Sequence, residues 1–510
     1  MIRHLGSVAV SQTSRSTSEC RVVLNHSHKP LVAKRLRLVS ATQPRSDKFP
    51  PCQKHLVRDN QAIHTMKSNS HSCRVFKLFM VLLLFATPLL RAAVIGTNSP
   101  SLPVTPARIA TLPAAEQPAW KEYLERSGRQ MQIDKDFLRA EMKAHGLTNT
   151  TVPPAARGAS GMSLMESSDW YGRTEARRIA DIIVSFQTPS GGWGKNLNFT
   201  LHPRAPGEHF VADNGSLFLG PDDNDTPHDL KWSYVGTFDN GATITQLRFL
   251  ASVIAASGTN ATAAYRAAFL RGLDYVFAAQ YPNGGWPQVW PLAGGYHDAI
   301  TYNDNAIVNI LTLLRDVADG KNEFAFMPAA GRARAAAGLK RGMDCLLASQ
   351  LVVAGRRTVW CQQHDALTLQ PDSARNYEMP CQSSGESGAI VLFLMELPKP
   401  DTNVVAAVRA AVAWFDKTKL MDVAFKSAGP EGRKLVAAPG AGPIWARYYE
   451  LGTDHPIFGD RDKSIHDNVE EISLERRKGY AWFGDAPQRA LERYAGWLKD
   501  HSLTQDAPKP

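Results

Sequence analysis

TEARRIADIIVSFQTPSGGW, residues 174–193, decides the fold. Its first part places Ala176, Ile179, Ala180 and Ile183 at helical spacing, an apolar stripe on a charged helix. Pro189, Gly191 and Gly192 then stop the helix, and Trp193 closes the turn. The device returns. A helical pattern over 265–280 runs into Tyr281-Pro282-Asn283-Gly284-Gly285-Trp286, and a weaker copy over 339–350 runs to Trp360 without the glycines. Helix, glutamine, turn and tryptophan, recurring every ~70 to 90 residues, is an internal repeat of helical hairpins. Further helical patterns cover 118–145, 242–257, 305–317, 385–397, 403–415 and 486–500, and strand-like alternation is scarce. A mainly α protein is expected. Three such hairpins close into a toroid, outer helices burying inner ones, with loops and helix ends forming one face. A groove across that face would gather Trp193, Trp286 and the loops around Asp239, Asp304 and Arg375. Each tryptophan taken alone is more often core packing than a ligand contact.

Composition narrows the function. Net charge is +10, but residues 1–95 carry 15 lysines and arginines against three acids, so that segment is +12 and the remainder −2. The body has no basic excess, and the electrostatic case for nucleic acid falls away. The basic segment reads as an address. Arg74 and Lys77 precede the apolar run LFMVLLLFATPLL (78–90), and Arg91-Ala92-Ala93 follows. The run is too short to span a bilayer, and the pattern is that of a secretory signal. The expected organisation is an over-extended start at 1–65, a signal peptide at 66–93, a linker and helical arm at 94–160, and a catalytic domain at 161–505. The mature chain would be secreted, extracellular or periplasmic, and monomeric, without a membrane anchor. Cys345, Cys361 and Cys381 would remain; Cys361 and Cys381 either pair or stay as thiols. No CxxC spacing or histidine cluster suggests zinc.

Four polar segments interrupt the helices. Thr237-Phe238-Asp239-Asn240-Gly241 and Thr301-Tyr302-Asn303-Asp304-Asn305 each precede an apolar helix, where an Asp or Asn serves as an N-cap; two such carboxylates at neighbouring helix mouths also suit calcium. The third, 359–386, carries a Gln-Gln-His-Asp run, Arg375 and Tyr377. The fourth sets Arg447 and Arg461 among tyrosine, tryptophan and acids, fit either for gripping carboxylates or for ion pairs with Glu450, Asp460 and Asp462. The acidic run at 222–225 lacks the glycine and glutamate of a calcium hand and reads as a solvated loop.

Together, SFQTPSGGWGKN (185–196), TFDNGATITQL (237–247), QYPNGGWPQVWPL (280–292), ITYNDNAIVNIL (300–311), VWCQQHDALTLQPDSARNYEMP (359–380) and IWARYYELGTDHPIFGDRD (444–462) resemble the family 10 polysaccharide lyases, which are pectate lyases. The resemblance covers roughly 165–505 in order. It implies an (α/α)3 toroid with an open substrate groove and calcium-assisted β-elimination of polygalacturonate (pectin). On that resemblance Arg375 matches the base, Asp304 and Asp239 match acids at the calcium and active centre, and Arg447 and Arg461 match arginines that bind uronate groups. Lys195, Asn240 and Tyr377 are expected to touch substrate, with Lys195 the reserve candidate for the base. Two other readings use the same toroid: a glycoside hydrolase with Asp239 and Asp304 as acid and base, and a non-catalytic glycan-binding protein.

Overall fold

A computed structural model describes residues 94–156, 161–212, 235–258 and 262–504. The expected signal segment, the start at 1–65 and the acidic run at 222–225 lie outside the described residues.

The helical body begins with α1 (Gln117–Ala144) and α2 (Thr174–Ser185). Then come α3 (Ile244–Ala256), α4 (Ala263–Ala279), α5 (Ala306–Asp319) and α6 (Ala329–Ala348). It ends with α7 (Ser384–Met395), α8 (Thr402–Thr418) and α9 (Ala486–Asp500). The inner helices α3, α5 and α7 touch in sequence, and each leans on outer ones: α3 on α2 and α4, α5 on α6, α7 on α8 and α9. This is the (α/α)3 toroid. Burial follows from composition. On α2 the stripe Ala176, Ile179, Ala180, Ile183 is buried as its spacing requires, whereas α7 is apolar around most of its circumference and is buried nearly all round.

The repeated tryptophans are core, not groove. Trp193, Trp286 and Trp360 are at most 1% exposed. Each indole N–H donates to a carbonyl in the last turn of its own hairpin's outer helix: Trp193 to Ile183 (2.7 Å), Trp286 to Val276 (2.8 Å), Trp360 to Leu346 (2.7 Å). Carbonyls at a helix end lack the regular i+4 donor, and the indoles add one beside the cap contacts from Phe186 N to Ile183 and Ser349 Oγ to Leu346. The glutamine of each repeat ties its turn to the next outer helix. Gln187 donates to Gly191 and Ala268, Gln280 to Gly284 and Gly338, and Gln350 to Thr358 and Ala407. Burying a tryptophan is worth roughly 4 to 6 kcal/mol, against about 1 kcal/mol for a hydrogen bond. The indole therefore holds the hairpin and the glutamine sets its register.

Two-residue ladders join the repeats on one face. Gly236–Thr237 pairs with Val289–Trp290, Ile300–Thr301 with Gln363–His364, and Gln382–Ser383 with Tyr448–Tyr449. Each polar turn thus lies against the strand that follows the next tryptophan. The arm expected as a linker or helix is docked. Trp120 and Tyr123 of α1 are buried against Tyr281 at ring separations of 5.0 and 4.8 Å, and the Tyr123 hydroxyl donates to the Ala279 carbonyl at 2.9 Å.

Candidate active site

Two turns carry the carboxylates. In the first, Asn240 and Gly241 take positive φ, 52° and 71°; in the second, Asp304 and Asn305 do, at 51° and 61°. Asn, Asp and Gly tolerate that conformation best, which is why these turns are written DNG and NDN. Neither aspartate caps a helix: the N-cap positions of α3 and α5 are Thr243 and Asn305, and neither makes a side-chain cap bond. The turns instead deliver Asp239 and Asp304 to one cleft of about 380 Å³, shared with Lys195, Asn240, Gln288, Arg375 and Arg461 among others.

The repeat explains the placement. Thr237, Thr301 and Ser383 each donate a backbone N–H to the tryptophan carbonyl of their repeat, at 3.0, 3.1 and 2.8 Å. Three residues later stand Asn240, Asp304 and Glu386. Lys195, Gln288 and Arg447 likewise each follow a buried tryptophan by two residues. These are the repeat tryptophans Trp193 and Trp286 and, beyond the third repeat, Trp445, whose indole N–H also donates to an outer-helix carbonyl, that of Phe415, at 2.9 Å. Both sets line this cleft or the adjoining one of about 260 Å³, which shares Asp304. Glu386 and Gln288 were missed from the sequence, and registering the repeats on their tryptophans was the signal that would have found them.

Charge is paired across the cleft. Lys195 Nζ donates to Asp239 Oδ2 at 2.5 Å. Burial acts to raise Asp239, but Lys195 and then Arg375 outweigh it and hold the carboxyl at about 2. Asp304 moves the other way, to about 6, through burial and the neighbouring Asp239 charge; the two carboxyls are in hydrogen-bonding contact. Arg375, a third exposed at its side chain, is gripped by Glu378: Nε to Oε2 at 2.8 Å and Nη2 to Oε1 at 2.5 Å. Burial favours its neutral form, yet the Glu378 carboxylate prevails and pushes Arg375 well above the usual arginine range. Glu378 is itself buried but held at about 2 by Arg375 and by the Tyr480 hydroxyl, 2.6 Å away.

The other arginines pair with different acids from those expected. Arg447 donates to Glu386 at 2.7 Å and Asn303 at 2.8 Å; Arg461 donates to Glu475 at 3.0 Å. Tyr377, 2% exposed, lies under three guanidinium groups, those of Arg375 (4.9 Å), Arg461 (5.4 Å) and Arg476 (4.4 Å). Arg476, Tyr480 and Glu378 were not singled out from the sequence. Arg476 follows Arg461 by fifteen residues on a short helix (Leu474–Gly479), with no motif to mark it. His364, in the Gln-Gln-His-Asp run, belongs to the core: burial pushes it down to about 4, and Nε2 accepts from Cys361 N at 3.1 Å. Cys361 and Cys381 are buried free thiols, the Cys381 N–H donating to Cys361 Sγ at 3.4 Å.

The donor set fits a hard cation. Among the described residues no group of three His, Cys, Asp or Glu side chains is disposed to hold a metal. Oxygen donors nevertheless converge. Beside the Asp239 and Asp304 carboxyls, the buried Gln288 and Gln363 amide oxygens line the same cleft without a hydrogen-bond partner. Carboxylate and amide oxygens are what calcium takes.

A family model described as pectic acid lyase matches residues 187–491. A family 10 polysaccharide lyase from Cellvibrio cellulosa is 33% identical over 66% of this chain and 100% of its own, with a TM-score of 0.55. An aspartate-to-alanine mutant of a family 10 polysaccharide lyase from the same organism, in complex with trigalacturonic acid, is 33% identical over 65% of this chain and 99% of its own, with a TM-score of 0.54. No curated protein sequence matches the chain. The family model spans the cleft from Lys195 to Tyr480, and the whole body of a solved lyase superposes on the toroid; the chain belongs to the pectic acid lyase family and is a polysaccharide lyase of family 10.

Proposed function

We propose that the protein is a secreted pectate lyase that cleaves polygalacturonate by calcium-assisted β-elimination and leaves 4,5-unsaturated oligogalacturonides. One observation carries this reading: the buried Asp239 carboxyl, the Asp304 carboxyl at the cleft surface and a set of guanidinium groups share one cleft. A polyuronate presents the matching charges. The trigalacturonic acid bound by the solved family 10 mutant supports the substrate class, and the basic, apolar and small-residue pattern of 66–93 supports secretion.

The C5 proton of a galacturonate is α to a carboxylate, so its removal builds up negative charge there. Arg447 and Arg461 hold neighbouring uronates in register and offset their charge. Asp239 and Asp304 would hold calcium, which would supply electrophilic stabilisation of that charge. Arg375 takes the C5 proton. The C–H electrons form the C4–C5 double bond, the C4–O bond breaks, and the departing oxygen takes up a proton. No water is consumed.

The hydrolase reading fits less well. Glycosidase carboxyls stand about 5 to 9.5 Å apart, with sugar or water between them, whereas Asp239 and Asp304 are in hydrogen-bonding contact. Ultraviolet absorbance on polygalacturonate tests the proposal. Absorbance should rise with calcium, stop on chelation and return when calcium is restored. New reducing ends without absorbance would refute elimination. The mature N-terminus, read by sequencing of the native protein, should fall near residue 94; an end far from there would refute the signal assignment.

A further inference from the structure

Residues 94–108 form a strap across the back of the Arg375 loop. Val94–Thr97 is a strand paired antiparallel with Ser464–His466, the return strand of the hairpin that carries Arg461. Asn98 follows, 3% exposed. Its backbone N–H donates to the Lys463 carbonyl at 2.7 Å. Its side-chain Nδ2 reaches three carbonyls of one turn: Arg375 at 3.1 Å, Asn376 at 3.0 Å and Glu378 at 3.2 Å. Beyond it, Ser99 accepts from the Ser373 hydroxyl, Ser101 donates to Asp372 at 2.5 Å, and Arg108 pairs with Asp365. The strap lies outside the part of the chain that the family model matches.

The chemistry of that turn calls for a donor. Within the turn the Arg375 carbonyl already accepts from Glu378 N at 2.8 Å and the Glu378 carbonyl from Ala374 N at 2.9 Å. The Asn98 amide NH2 adds a donor within reach of all three carbonyls, Asn376 included, and a buried carbonyl left unpaired costs free energy. The same residue holds the neighbouring hairpin, whose Arg461 carbonyl accepts from Asn376 Nδ2 at 2.7 Å. One side chain and one backbone N–H therefore join the two elements that bring Arg375 and Arg461 to the cleft. We propose that Asn98 is a positioning residue for the lyase reaction, holding the Arg375 loop and the Arg461 hairpin in register. This rests on reading Arg375 as the base.

The test compares Asn98→Ala and Asn98→Ser with the native enzyme on polygalacturonate, with hydrogen exchange followed over residues 372–379. Displacing a catalytic group slightly costs roughly ten- to a hundredfold in rate. Asn98→Ala should lose kcat on that scale per folded molecule, with a much smaller change in KM and lost amide protection in the loop. Asn98→Ser, which keeps one donor, should recover part of both. Native kcat in folded Asn98→Ala overturns the proposal. If Asn98→Ala does not fold, the double variant Ser101→Ala, Arg108→Ala decides: reduced kcat with loosened exchange at 372–379 supports the strap, and unchanged kcat overturns it. Separately, Arg375→Lys with near-native turnover would remove Arg375 as base, while lost loop protection in the Asn98 variants would still show the strap's mechanical role.

Discussion

Glu378 sets the behaviour of Arg375. A base works only from its deprotonated form, and the Glu378 carboxylate stabilises the protonated guanidinium. The reactive fraction must therefore grow as hydroxide grows, and the rate should still be climbing above about pH 9. Glu378→Gln removes the opposing charge and lowers the Arg375 pKa. We expect its pH–rate limb to move to lower pH while kcat at the plateau falls, because the grip that orients the guanidinium is also lost. A limb that stays in place would show that a group other than Arg375 loses the proton. Arg375→Ala should abolish turnover with binding largely kept, checked by binding of a galacturonate oligomer beside the absorbance assay. At this scale much of the site was legible: Arg375, Asp239, Asp304, Arg447, Arg461, Lys195 and Asn240 all reach the two adjoining clefts. Glu378 and Tyr480 were not, because a glutamate and a tyrosine 102 residues apart have no reason to be linked until the chain is folded.

The hairpin is the element that repeats, and its steric demands repeat with it. Gly272 and Gly342 sit where a Cβ would come within 2.7 Å of the Trp193 and Trp286 indoles. The third repeat has Ala411 at the matching place, sixty-nine residues after Gly342, against a hairpin whose turn lacks the double glycine. Gly342→Ala should cost about 1 to 3 kcal/mol, the usual penalty for overpacking, read as a lower Tm with unchanged KM. Unchanged stability would mean that the indole can shift, and that the tryptophan does not fix the hairpin. The repeats also diverge. Arg271 and Arg341 donate to Gln187 and Gln280 at 2.6 and 2.5 Å, but Ala410 stands in that register in the third, leaving the Gln350 Oε1 buried without a partner. The helices were legible because apolar spacing and Pro-Gly stops are local signals. α6 begins ten residues before its expected start because its first half, rich in alanine and arginine, has high helix propensity but little apolar stripe.

Across the molecule, carboxyls buried without a cationic partner oppose those that have one. Asp134 and Asp298, both buried, are raised to about 6, first by burial. For these the folded state binds more protons than the unfolded chain, so stability falls as pH rises from about 4 to 6. Asp239 and Glu378, held at about 2 by Lys195 and Arg375 over the opposing effect of burial, stabilise above the unfolded pKa and lose that contribution as pH falls towards 2. Calcium-free protein should therefore be most stable near pH 4 to 5, well below the pH of greatest activity; thermal unfolding across pH checks this, and a maximum above neutrality would contradict it. The amino-acid sequence by itself determined the hairpins, their threefold recurrence, the toroid they imply and, through its motifs, the family. It did so because helix periodicity, turn chemistry and motif order are properties of neighbouring residues. Only the tertiary structure decided that the tryptophans are core, that Glu378 grips Arg375, that Asp239 and Asp304 touch, and that residues 94–108 strap the Arg375 loop. Most of those facts join residues far apart in the chain, and even the Arg375–Glu378 pair, three residues apart, is set by the fold of its turn, which side-chain spacing alone does not give.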